Sequence, residues 1–123
     1  MATPATDVPP WAEPPKTITY RDPSLREKLN ERLVYQAYVT EREWESRRFY
    51  PGNKLILKLG DEVIGEGQVI LIEATPMGRL TRHDATVSGY KEVEDLVMAL
   101  RKHLPTERKW EDTEVYKILY RWL

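Results

Sequence analysis

The sequence predicts an α+β fold: a small mixed β-barrel with flanking helices. Three observations point there. Strand-like and helix-like segments interleave without units long enough for βαβ crossovers. Two close glycines, Gly65 and Gly67, open an apolar run ending in VILIEAT, which suits a strongly bent strand. One segment, Tyr90 to Leu104, carries sustained helical periodicity.

The elements follow in order. Met1 to Pro15 holds five prolines, whose fixed φ angles and missing donors disfavour regular structure. Residues 1–15 therefore read as an extended arm, and 16–123 as one domain. The arm makes few backbone bonds in this reading, so its removal should barely change stability. Lys16 to Tyr20 alternates and reads as a strand. Asp22-Pro23-Ser24 starts a short helix with Leu25, Leu29 and Leu33 at helical spacing. Leu33 to Thr40 is rich in β-branched and aromatic residues and reads as a strand. Glu41 to Arg48 fits either a helical turn or an exposed strand end.

Pro51-Gly52 marks a turn. Lys54 to Leu59 and Val63 to Ala74 form a hairpin across Gly60-Asp61-Glu62. Leu80 to Ser88 has room for a short helical turn. In the Tyr90–Leu104 helix, Val93, Leu96, Val97, Leu100 and Leu104 form one apolar stripe, and Pro105 stops it. Thr113 to Leu123 is a final strand with Tyr116, Ile118, Tyr120 and Trp122 facing inward. The sheet should close around Val69, Leu71, Ile118 and Tyr120.

Composition narrows the function classes. The 123 residues are 41% hydrophobic and 32% charged, which suits one globular domain with a charged surface. The net charge of −1 means that any nucleic-acid site is a local patch. Cysteine is absent, which excludes disulfides, thiolate chemistry and sulfur-ligated zinc. His83 and His103 offer no metal-ligand spacing, so no metal or other cofactor is expected. No signal segment or membrane-length apolar run occurs, so the expected location is cytoplasmic, with no membrane partner.

Five segments together resemble the ASCH domains, a branch of the PUA-like superfamily. TITYRDPSLREKL is similar to their opening strand and helix, and YPGNKLIL to the next strand. VIGEGQVILIE is similar to the bent strand, SGYKEVEDLVMAL to the long helix and VYKILYRW to the closing strand. The resemblance covers roughly Lys16 to Leu123. It implies a PUA-like barrel and a cleft that takes RNA or a modified nucleoside. The family signature, Gly-x-Lys-x-x-(Thr/Glu)-x-Arg, falls on Asn30 to Ala37, where positive charge survives at Arg32 alone. That departure favours binding without catalysis.

The binding candidates follow from local clustering. Arg42, Arg47, Arg48 and Lys54 surround Trp44 and Tyr50 in the chain. Cations neutralise phosphates, and exposed aromatics stack bases. The resemblance brings Arg32 beside this segment. Lys91, at a helix start, adds a further anion contact. The partner expected is single-stranded RNA or a nucleotide-like ligand. A competing reading pairs Glu41, Glu43 and Glu45 with the arginines on a solvated surface and places Trp44 in the core. An amidohydrolase-like enzyme acting on a modified nucleoside is the alternative function, with Glu66 as base and Arg32 steadying an oxyanion. A protein-interaction module using the Pro-rich arm is the third.

Overall fold

The computed structural model describes residues 8–106 and 108–123. The first part of the arm, residues 1–7, lies outside the described residues. Five strands form one curled sheet in the order β1-β3-β4-β5-β2. They are β1 (Lys16–Tyr20), β2 (Gln36–Thr40), β3 (Lys54–Leu59), β4 (Glu62–Pro76) and β5 (Glu114–Trp122). The β1–β3 pair is parallel and the other three are antiparallel. This is the expected α+β architecture, a half-barrel with helices on its flanks.

The curl originates in β4, which is fifteen residues long and paired on both sides. The two glycines stand where neighbours press closest. A methyl group on Gly67 would sit 3.0 Å from the Arg121 carbonyl oxygen and 3.1 Å from the Tyr120 ring. One on Gly65 would meet both Trp122 and the Arg32 guanidinium at 3.2 Å. Register shifts at Leu57/Lys58 and Val69/Leu71 add bend on either side.

The second shift corrects one expectation. Leu71 does not face the core but is 51% exposed, as is Ile70 beside it. The extra residue breaks the alternation, so Ile72 takes the inward position opposite Ile118. Val69, Ile118 and Tyr120 are buried as expected, together with Ile18, Val39, Phe49, Leu55 and Leu57.

Among the described residues four α-helices flank the sheet: α1 (Arg26–Asn30), α2 (Glu41–Arg47), α3 (Arg82–Val87) and α4 (Val93–His103). Asp22 starts the first helical segment by accepting from the Ser24 N–H at 3.0 Å. Leu25 and Leu29 are buried there, whereas Leu33 is exposed beyond the helix end. The ambiguous 41–48 segment is helical because Thr40 caps it, accepting from the Glu43 N–H at 3.1 Å. Arg48 ends it in the left-handed region, at φ 53°. Helix α4 lays Leu96 and Leu100 against Met77, Leu80, Ala85 and Val115 in a second core. It is one turn shorter at its start than the Tyr90–Leu104 expectation, because Glu92 is its N-cap.

The described part of the arm is tied down more firmly than its composition suggests. Pro10–Ala12 form a 3₁₀ turn over Gly52. The buried Asn53 amide donates to the Pro10 carbonyl at 3.1 Å and to Glu13 at 3.2 Å. Deletion of residues 1–13 should therefore cost about 1–2 kcal/mol in denaturant unfolding, the net worth of two such bonds. An unchanged midpoint would show that Asn53 needs neither partner. Gly67→Ala should cost about 1–3 kcal/mol, since the added methyl meets backbone and packed rings. Equilibrium unfolding of that variant checks the origin of the curl.

Candidate functional site

Strands β1 and β2 are the two free edges of the sheet, and the curl brings them face to face. They exchange no ladder bonds in the sheet register. Side chains join them instead. The Tyr20 hydroxyl on β1 donates to the Gln36 carbonyl on β2 at 3.0 Å. Its one proton is thereby committed, so the Tyr120 hydroxyl, 2.9 Å away, is the donor to Tyr20. Beside the seam Arg47, at the end of the α2 helix that follows β2, donates from its guanidinium to the Thr17 carbonyl on β1. Lys16 returns the link by donating to the Arg47 carbonyl at 2.8 Å.

The incomplete seam leaves a cavity of about 230 Å³. Its walls include Tyr20, Arg21 and Asp22 from β1 and its exit, Gln36 and Tyr38 from β2, and Glu43 and Arg47 from α2. Ser88, Tyr90 and the Leu96–Leu100–His103 side of α4 close the far wall. A broader, shallower concavity adjoins it through Arg21, Asp22, Tyr90 and His103, and adds Lys91 and Lys102.

A buried polar network underlies the cavity. Asp84 is 5% exposed and caps α3 with Thr81 in a reciprocal capping box. Its other oxygen accepts from Gln36 Nε2 at 3.1 Å and Lys117 Nζ at 3.3 Å. Burial pushes the Asp84 carboxyl upward, but the Thr81 N–H, Gln36 and Lys117 outweigh it, and the net shift is downward. Burial likewise opposes charge on Lys117, yet its bonds to Glu73 and Asp84 raise it overall. Burial raises Tyr20, Tyr38, Tyr90 and Tyr120 above the ordinary phenol range. Asp22 accepts from the Tyr90 hydroxyl at 2.8 Å; desolvation raises its carboxyl, but the Ser24 and Tyr90 bonds leave it lowered.

No family model matches this sequence, and no curated protein matches it. Solved structures do. An ASCH domain from Lactobacillus crispatus JV V101 superposes with a TM-score of 0.64 at 11% identity, covering 87% of this chain and 79% of its own. The chain has the ASCH fold. A DUF984 protein from Enterococcus faecalis V583 gives 0.62 at 12% identity over 89% of this chain and 76% of that one. The hypothetical protein PH0355 gives 0.62 at 17%, with 88% and 99% covered.

On this ASCH-type frame the residues singled out from the sequence separate into groups. Arg47 lines the cavity and Lys91 the shallow concavity. Arg48 follows Arg47 as the exposed C-cap of α2, and Lys54 is exposed at the start of β3. Lys54 precedes Leu55, the register partner of Lys16, which itself bonds to Arg47. Arg42 and Tyr50 are exposed and border neither concavity. Trp44 packs against the barrel core and stacks on Tyr116, with centroids 4.7 Å apart and planes 10° apart. Its indole N–H is the one buried side-chain polar atom without a partner among the described residues. Arg32 lies elsewhere, stacked on Trp122 at 4.6 Å. Glu66 is exposed and borders neither concavity. The carboxylates that line the cavity are Asp22 and Glu43. Among the described residues no cluster of three or more His, Asp or Glu side chains is placed to hold a metal. No described helix is long and apolar enough to cross a membrane.

Sequence reasoning passed over Gln36, Tyr38 and Ser88. The signal lay in Gln36 and Tyr38, two polar-tipped residues on the face of β2 opposite the core residues Ala37 and Val39; once buried they need partners.

The network gives a pH signature. The depressed Asp84 contributes stability that is complete above its unfolded pKa, about 4, and is lost as pH falls through its lower folded value. Asp84→Asn should therefore melt below the parent at neutral pH, with the gap narrowing in acid. Melting temperature against pH for both proteins checks this; a gap that widens in acid would contradict the assignment.

Proposed function

We propose that this domain binds single-stranded RNA, or a nucleotide-like ligand, without catalysis, placing one base in the seam cavity. The observation that carries the reading is the cavity itself, a polar-floored slot between two unpaired strand edges with cations at its rim. At about 230 Å³ it falls below the roughly 300–1,000 Å³ of drug-sized pockets, and one splayed base is the fitting occupant. The phenols of Tyr20, Tyr38 and Tyr90 border the slot and offer flat apolar faces to a base. Arg47 and Arg21 line the slot and would meet the attached phosphate, and Lys91 and Lys102 line the continuing concavity. Arg42, Arg48 and Lys54 extend positive charge beyond Arg47 for flanking nucleotides. Trp44 has one face covered by Tyr116, so stacking by the cavity tyrosines replaces it in this reading. The ASCH fold supports the assignment by analogy.

The test is titration of a short single-stranded RNA at low and moderate salt. Each cation that meets a phosphate should steepen the dependence of log K on log salt by about 0.7. Combined Arg21→Gln and Lys91→Gln substitutions should weaken binding and flatten that slope by roughly one to two contacts. Absence of binding by the parent at low salt, or an unchanged slope in the variant, would overturn the proposal.

A further inference from the structure

Gln36 is 6% exposed and borders the cavity. Its Nε2 lies 3.1 Å from the Asp84 carboxylate and 2.8 Å from the Tyr38 hydroxyl. An ionised carboxylate only accepts, so the group facing Asp84 must be the amide NH₂. Lys117 and the Thr81 N–H hold Asp84 in its charged form. The amide is thus locked and cannot flip.

The remaining protons are equally committed. Ser88 donates its hydroxyl proton to the Asp84 carbonyl at 2.6 Å. Tyr38 then accepts from Gln36 and donates to Ser88 Oγ at 2.8 Å, its nearer acceptor, with the Asp84 carbonyl at 3.4 Å beyond it. The Tyr38 and Ser88 hydroxyl protons are therefore both directed away from Gln36 Oε1. That oxygen receives no hydrogen bond among the described residues. The residue keeps 6% of its surface exposed and lines the cavity. The open space that Gln36 borders is the cavity.

We infer that Gln36 is the specificity-determining residue of the site: its Oε1 is a fixed acceptor that selects a base carrying an amino group over its keto counterpart. This rests on the base-binding reading above and deepens it. An amine on the inserted base donates to Oε1. A keto oxygen at the same place sets lone pair against lone pair, and leaves a polar group unpaired in a confined site. The Asp84–Lys117 pair acts as a positioning device, fixing which end of the amide the ligand meets.

Calorimetric titration of the full chain with four nucleotides tests the inference. The probes are adenosine against inosine monophosphate, and cytidine against uridine monophosphate. Each pair differs at the amino or keto position. The amino member should bind on the order of tenfold tighter or more in both pairs. Gln36→Met keeps the volume and removes the acceptor; it should bind both members within about twofold of each other. Parent protein that binds the members of each pair equally, or prefers the keto forms, overturns the inference and leaves the base-binding reading standing. Folded Gln36→Met that retains the preference also overturns it. Failure of all four nucleotides and of RNA to bind overturns both. Should Gln36→Met fail to fold, the comparison on the parent protein decides alone.

Discussion

The structure depends on how two strand edges are joined without a backbone ladder. Strands β1 and β2 meet across the seam of the curled sheet; one side chain joins them directly, and two more tie β1 to α2, the helix that follows β2. Tyr20 reaches the Gln36 carbonyl, Arg47 reaches the Thr17 carbonyl, and Lys16 reaches back to Arg47. A continuous ladder would have brought the strands to about 4.8 Å and left no room between them. Side-chain closure satisfies edge groups that otherwise invite aggregation, and it keeps a gap. The cavity follows from that choice of closure.

The interior beneath the gap is polar, which costs stability unless every group is paired. Here the pairing is complete enough to fix directions. Tyr120 donates to Tyr20, and Tyr20 to the β2 backbone. Gln36 donates to Tyr38 and Asp84, Tyr38 to Ser88, and Ser88 to the Asp84 backbone. The same aspartate caps α3 and anchors Lys117 on β5, which holds Glu73 on β4. One buried carboxylate thereby ties a helix start to three strands.

The strands and the long helix were legible because alternation and the Val93–Leu104 stripe are local signals. Gly65 and Gly67 announced the bend, and close approach by Tyr120 and Trp122 explains why glycine stands there. Leu71 misled because a bulge at Val69/Leu71 changes register without a mark in the sequence. The candidate site was harder to read. Clustering along the chain pointed to Arg42–Lys54, whereas the cavity is assembled from β1, β2, α2, the loop at Tyr90 and α4. Of the cations and aromatics named in that stretch, Arg47 alone lines the cavity. Trp44 looked like a stacking platform, yet Tyr116, seventy-two positions later, covers it. Convergence of that kind is a property of topology, and no window of sequence contains it.

Strand β5 pairs with β4 on one side and β2 on the other, so it sits inside the sheet although it is the last strand in order. During synthesis, β1, β3 and β4 can associate once residue 76 has emerged. Strand β2 has no partner until residues 114–122 follow. At about 5–20 residues per second this leaves an interval of seconds, during which the β2 and β4 edges are uncovered and the second core lacks Val115. The nascent domain is therefore most vulnerable to misassociation in that interval, because insertion of β5 covers both open edges.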